Sequence, residues 1–191
     1  GFDFEWRLPL AEFVTVYGDF YADDEPSPLA SPRRSAFSPG IYLARLPKLA
    51  RWDLRVEAPS SRLAGEDRGG TFLFWNHVYR SANTNYGRPL GSWVGRDGRG
   101  LFVQTSYWHG PRARLDFSYR QNRIGAAFLP AGGTQSAGAV SGMVELERGW
   151  LLEASMQLER YFIPVLWPAP RRNFTAALQV TYLPRWRLVR R

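Results

Sequence analysis

The stretch Phe2-Asp3-Phe4-Glu5-Trp6-Arg7-Leu8 alternates large apolar side chains with charged ones without an error. A period of two puts Phe2, Phe4, Trp6 and Leu8 on one face of an extended strand and Asp3, Glu5 and Arg7 on the other, whereas a helix would scatter both sets. The same grammar returns at Ala50-Arg51-Trp52-Asp53-Leu54-Arg55-Val56-Glu57-Ala58, at Arg112-Ala113-Arg114-Leu115-Asp116-Phe117-Ser118-Tyr119-Arg120 and at Phe174-Thr175-Ala176-Ala177-Leu178-Gln179-Val180-Thr181-Tyr182. Segments this regular, spread from one end of the chain to the other, specify an all-β fold.

Weaker strand candidates fill the intervals at 13–22, 41–46, 71–79, 101–108, 141–147 and 151–160, for a total of about ten strands. Turn chemistry divides them, as at Glu25-Pro26-Ser27-Pro28, Asp97-Gly98 and Arg148-Gly149. The run Leu151-Leu152-Glu153-Ala154-Ser155-Met156-Gln157-Leu158-Glu159 is made mostly of good helix formers. Its alternation of Leu152, Ala154, Met156 and Leu158 with polar neighbours fits a strand equally well, and the surrounding pattern favours the strand. Neither a fixed-length repeat nor a dividing linker is visible, so residues 1–191 read as a single unit.

Composition narrows the class. The chain has 191 residues, 45% of them hydrophobic, enough for one domain with a core, which excludes a disordered tail. The 25 basic and 17 acidic side chains leave a net charge of +8, and Lys48 is the only lysine. The absence of cysteine excludes disulfide scaffolds, zinc ribbons and thiol catalysis. No apolar run approaches the roughly 18 residues of a membrane helix. The greasiest stretch, 161–167, is interrupted by Pro164. The chain opens on Gly1-Phe2-Asp3-Phe4 with neither an initiator Met nor a signal-peptide pattern, as expected of a processed chain or a piece of a longer one.

What the two faces of the strands meet is the next question. A soluble sandwich or small barrel turns its apolar face inward. A membrane barrel inverts this, with apolar residues toward lipid, polar ones toward the lumen and aromatics near the strand ends. Phe20-Tyr21, Phe74-Trp75, Tyr107-Trp108, Tyr161-Phe162 and Tyr182 lie where a membrane-interface girdle needs them. Lipocalin-like and sandwich proteins share the alternating pattern, so pattern alone leaves both arrangements open.

His77-Val78-Tyr79-Arg80, followed by Asn85-Tyr86-Gly87-Arg88-Pro89-Leu90-Gly91-Ser92-Trp93-Val94-Gly95-Arg96-Asp97-Gly98-Arg99-Gly100, resembles the capsule assembly protein Wzi family of bacterial outer-membrane barrels. Two other pieces are similar to it: 13–24, where a short strand runs into an acidic corner, and 52–57, where a strand ends on Glu57. The resemblance runs from about Phe4 to Tyr182 and corresponds to the later part of the family's barrel. It implies an antiparallel transmembrane β-barrel of the bacterial outer membrane, here a partial barrel of about ten strands with the N-terminal part of the parent barrel missing. It also implies a lectin-like role in holding capsular or other surface polysaccharide, without catalysis or cofactor, in contact with outer-membrane lipid.

The glycine-rich loop 86–100 is the richest candidate for a glycan site. Its glycines allow close backbone approach to a ligand, or positive φ angles in turns, the latter being the more ordinary use. Arg88, Arg96 and Arg99 offer planar forks for the carboxylates of an acidic polysaccharide, while Trp93 and Tyr86 offer faces for sugar rings. His77 completes the set of glycan-binding candidates. The loop is no phosphate-binding loop, because it lacks the Gly-Lys-Ser/Thr ending and a following helix.

Other chemistries find less support. His77 and His109 are the only histidines, too few for a zinc site without carboxylates from elsewhere, and Asp23-Asp24-Glu25 lacks the spaced oxygen array of a calcium loop. No metal site is expected. Carboxylates such as Glu57, Asp116, Glu145, Glu153 and Glu159 could form a glycosidase pair, yet nothing selects one, and no Gly-x-Ser-x-Gly elbow is present. A non-enzyme is therefore expected. The arginines are dispersed along nearly every strand and interleaved with acids, where a nucleic-acid track would concentrate them. Two alternatives to glycan binding remain: a porin-like channel with a charged lumen, and a soluble β-barrel binding protein.

Overall fold

In the computed structural model, which describes residues 1–9, 11, 13–22, 35–63, 70–74, 84–85, 88–89 and 92–183, the alternating segments pair edge to edge and antiparallel. The strands are β1 (Phe2–Arg7), β2 (Val14–Ala22), β3 (Ser35–Leu43), β4 (Leu54–Glu57), β5 (Thr84–Asn85), β6 (Arg88–Pro89), β7 (Gly98–Gly110), β8 (Ala113–Ile124), β9 (Gly133–Glu145), β10 (Trp150–Phe162) and β11 (Arg171–Tyr182). Nine form one sheet in the order β1-β2-β3-β4-β7-β8-β9-β10-β11, and β5 with β6 makes a separate small hairpin. The large sheet is an open meander with β1 and β11 at its edges, and no α-helix occurs among the described residues.

Register carries one row of side chains across all nine strands. Glu5 pairs Tyr17, Tyr17 pairs Gly40, and the row continues through Glu57, Phe102, Arg120, Ala137 and Glu159 to Asn173. One residue along, the opposite face carries Val16, Ile41, Val56, Val103, Tyr119, Gly138, Leu158 and Phe174. The sheet is thus polar on one side and apolar on the other, as the sequence period dictates.

The apolar side is bare. Leu178 is 71% exposed, Phe174 63% and Met156 61%. Among the described residues the buried apolar side chains are few: Ala36, Leu63 and Leu73 cluster, backed by Tyr21, Phe72 and Phe74, and Val94 and Ala137 are buried apart from them. A continuous uncovered apolar surface of this kind is what lipid covers.

Aromatic rings bound that surface at both ends. At one end Phe20 stacks on Phe37 at 4.3 Å and meets Phe2 at 6.0 Å, and at the other Trp52 meets Tyr107 at 5.2 Å and Trp150 meets Tyr182 at 4.8 Å. From Arg172 to Tyr182 strand β11 rises roughly 34 Å, which a tilt of about 40° projects to roughly 26 Å, the height of a barrel's apolar band. The connection 111–112 is tight, and with 8–13, 44–53 and 146–149 it closes the Trp150 end. The longer 23–34 and 58–97 lie at the other end, with 125–132 and 163–170.

Several sequence expectations change in detail. The strand expected at 41–46 begins at Ser35, and Gly98 and Gly100 belong to β7 rather than to a loop. The strand expected at 50–58 shortens to Leu54–Glu57, although Trp52 still bridges Tyr107. Residues 71–74 of the expected strand 71–79 form a turn, and the remainder lies outside the described residues, as does the acidic corner at 23–25. The helix-forming run at 151–159 is strand, because β9 and β11 flank it with complete ladders.

Candidate functional site

The polar face is built around close passages of aromatic rings over glycine. A Cβ on Gly40 would lie 2.3 Å from the Tyr17 ring, so only glycine on β3 lets Tyr17 cross its neighbouring strand. Having crossed, Tyr17 donates its hydroxyl to Glu57 Oε1 at 2.8 Å. Arg55 Nε donates both to Tyr17 Oη and to Glu57 Oε1, each at 2.8 Å. Tyrosine, arginine and carboxylate thereby form one polar cluster spanning β2 to β4.

A second ring lies nearby in the same manner. Trp93 precedes β7 and covers Gly100, whose added Cβ would stand 2.4 Å from the indole. Phe74 stacks on Tyr21 at 4.9 Å with an interplanar angle of 18°, so the 70–74 turn folds over the polar side of β2 and β3. Tyr17, Tyr21, Arg55, Glu57, Phe74 and Trp93 line one recess of about 580 Å³, at the end with the longer connections. Aromatic faces beside a hydrogen-bonding cluster form a surface on which a sugar ring can stack while its hydroxyls are bonded.

A second recess of about 500 Å³ adjoins it, lined by Asp3, Glu5, Arg55, Asp53, Trp108 and Arg114 among others. Here buried Asp53 accepts from the Ser106 backbone N–H at 2.9 Å and from Trp108 Nε1 at 3.0 Å. Arg114 pairs with Asp116 at 3.0 Å and lies over the Trp108 ring, 5.2 Å from its centroid. Further along the face Glu159 accepts from Gln135 and stands 3.9 Å from Arg120. These contacts, some along one strand and others between strands, turn the charged alternation of the sequence into a ladder of partners.

The residues expected from sequence at the glycan site are distributed unevenly. Trp93 lines the recess. Arg96 Nε donates to the Thr71 carbonyl and its guanidinium lies 4.7 Å from the Phe128 ring centroid, so it ties the 70–74 turn to the 125–132 connection; burial pulls its pKa below the ordinary arginine value. Arg99 stands exposed on the apolar face of β7, opposite Arg123, on the other side of the sheet from Trp93. Arg88 pairs through its backbone with Asn85 in the small hairpin. Tyr86 and His77 lie outside the described residues. Tyr17, Tyr21 and Phe74 complete the recess and were not singled out as site residues from the sequence. The signal for Tyr17 is its register with Gly40, which appears only once β2 and β3 are paired.

The family model of the capsule assembly protein Wzi matches residues 1–176. Among solved structures, the chain is similar to Wzi of Escherichia coli, described as an outer membrane protein involved in group 1 capsule assembly and a carbohydrate-binding β-barrel. The two share 16% identity at a TM-score of 0.71, over 95% of this chain and 41% of that one, so this chain spans less than half the length of the barrel it resembles. No curated protein matches the sequence. Nine antiparallel strands, a lipid-type apolar face between aromatic girdles, a charged opposite face and a family match across nearly the whole chain lead to one assignment: the chain belongs to the capsule assembly protein Wzi family, barrels of the bacterial outer membrane.

Proposed function

We propose that residues 1–191 act as one barrel segment that binds acidic surface polysaccharide at the mouth of the barrel, as a binding module without catalysis. The carrying observation is the recess in which Trp93, Phe74 and Tyr21 present rings beside the Tyr17–Arg55–Glu57 cluster. The carbohydrate-binding description of the similar barrel supports the same reading.

Charge divides the labour. Arg55 is already paired with Glu57, and Asp19 also lines the recess, so the recess favours sugar hydroxyls and ring faces over carboxylates. Preference for an acidic chain then falls to Arg88 and Arg96, with Tyr86 and His77 as further candidates from the sequence, whereas strand parity turns Arg99 to the other side of the sheet and takes it out of this site.

The test is titration of the detergent-folded protein with an acidic capsular polysaccharide and with a neutral dextran. Trp93→Ala should weaken both at least tenfold, whereas Arg88→Gln with Arg96→Gln should weaken the acidic ligand selectively while the barrel stays inserted. Unchanged binding in all variants removes the site from consideration, and planar-bilayer conductance without glycan affinity would favour a porin-like channel instead.

A further inference from the structure

The polar face of the sheet mixes acids with arginines, but the apolar face does not. Every Asp, Glu, Lys or Arg that the nine paired strands place on the apolar side is an arginine, and all of them stand at one end. Arg99 of β7 lies directly opposite Arg123 of β8, and Arg160 of β10 lies directly opposite Arg172 of β11. All four are exposed, and no described acidic residue pairs with any of them.

Like charges directly opposite in a sheet destabilise it. The strand acids that could neutralise them, among them Glu153 and Glu159, are register-locked to the other face. An anion lying between the pairs removes the repulsion, and paired guanidinium forks suit the oxygens of a phosphate.

Position selects the source of that anion. Toward the middle of the sheet the apolar face continues one step on from Arg160 and Arg172 as Leu158 and Phe174, and from Arg99 and Arg123 through Leu101 and Gln121 to Val103 and Tyr119, so the arginines border the apolar band. They span β7 to β11, roughly 19 Å at about 4.8 Å per strand, wide enough for more than one phosphate. They also lie at the end with the longer connections, which in outer-membrane barrels faces the exterior. At the opposite end this face carries Trp52, Tyr107, Trp150 and Tyr182 and no strand arginine. A ligand must therefore present anionic groups immediately above acyl chains, on the outer leaflet alone.

We propose that Arg99, Arg123, Arg160 and Arg172 form a docking surface for the phosphates of an outer-leaflet glycolipid, the lipid A portion of lipopolysaccharide. The surface lies on the other side of the sheet from the recess, and the inference stands apart from the glycan reading.

The experiment uses the full chain folded in detergent and titrated with solubilised lipid A, with the same lipid after removal of its phosphates, and with a soluble acidic polysaccharide. The wild type should bind phosphorylated lipid A at least tenfold more tightly than the dephosphorylated form, and its melting temperature should rise on binding. Exchange of all four arginines for glutamine should abolish that preference, while leaving melting in lipid-free detergent unchanged or higher, because the like-charge pairs are gone. Should the fourfold variant fail to fold, R99Q/R123Q and R160Q/R172Q are measured separately, each expected to lose several-fold in affinity. Equal affinity for the two lipid forms, unchanged binding in the folded variants, or displacement of the lipid by soluble polysaccharide would overturn the proposal.

Discussion

Trp93 lies across Gly100, close enough that a single added methyl group would stand 2.4 Å from the indole and 2.6 Å from Val94 Cγ1. Gly100→Ala is therefore expected to push the indole out of its place in the recess without touching the sheet ladder. Carbohydrate affinity should fall at least fivefold in titration, while the heat-modifiable electrophoretic shift of the folded barrel is retained. An affinity equal to wild type would show that the placement of Trp93 is immaterial.

Glu57 accepts from both Tyr17 and Arg55. The Arg55 side chain is 47% exposed, which holds the ion pair to about 0–1 kcal/mol of stability. Glu57→Gln should change unfolding free energy by less than about 1 kcal/mol, yet free Tyr17 and Arg55 to move and lower sugar affinity several-fold. Urea unfolding in vesicles and titration with polysaccharide measure the two effects separately.

Asp53 differs in being buried, with two donors converging on its carboxylate. Asp53→Ala leaves the Ser106 N–H and Trp108 Nε1 without their acceptor and should cost about 2–3 kcal/mol. Asp53→Asn keeps an acceptor oxygen and should cost less. Equal losses for the two variants in urea unfolding would show that the hydrogen bonds contribute little.

The orientation of the sheet is open to a direct test. Met156 and Leu178 stand mid-strand on the apolar face, so Met156→Arg or Leu178→Arg should cost about 2–4 kcal/mol when the protein folds into vesicles. Ser155→Arg, one residue away on the polar face, should be tolerated within about 1 kcal/mol. Equal penalties on both faces would contradict a lipid-facing surface.

Much of this architecture is legible in the chain. The periods of two in 2–8, 112–120 and 174–182 are found as β1, β8 and β11, because in a sheet with one apolar face and one polar face the alternation is the structural determinant. Boundaries shift where the pattern is interrupted, as at Pro39 and Gly40, which sit inside β3 although proline and glycine are turn residues. The recess was less legible. Trp93 could be singled out as an aromatic among glycines, but Tyr17 enters the site through a neighbouring-strand glycine, a relation that exists only in the paired register. Arg99 shows the converse: near Trp93 in sequence, it is turned to the other side by strand parity.

The ladder of charges on the polar face has an electrostatic consequence. Asp3, Glu5, Asp19, Glu57, Asp116, Glu145, Glu153 and Glu159 outnumber Arg7, Arg55, Arg114, Arg120 and Arg171 there, although the chain as a whole carries +8. The wall's inner surface is therefore at negative potential despite a basic protein. Small cations are concentrated along it, and a long polyanion gains nothing by threading inward. For the acidic polysaccharide proposed above, a seat at the entrance is therefore favoured over passage along the wall.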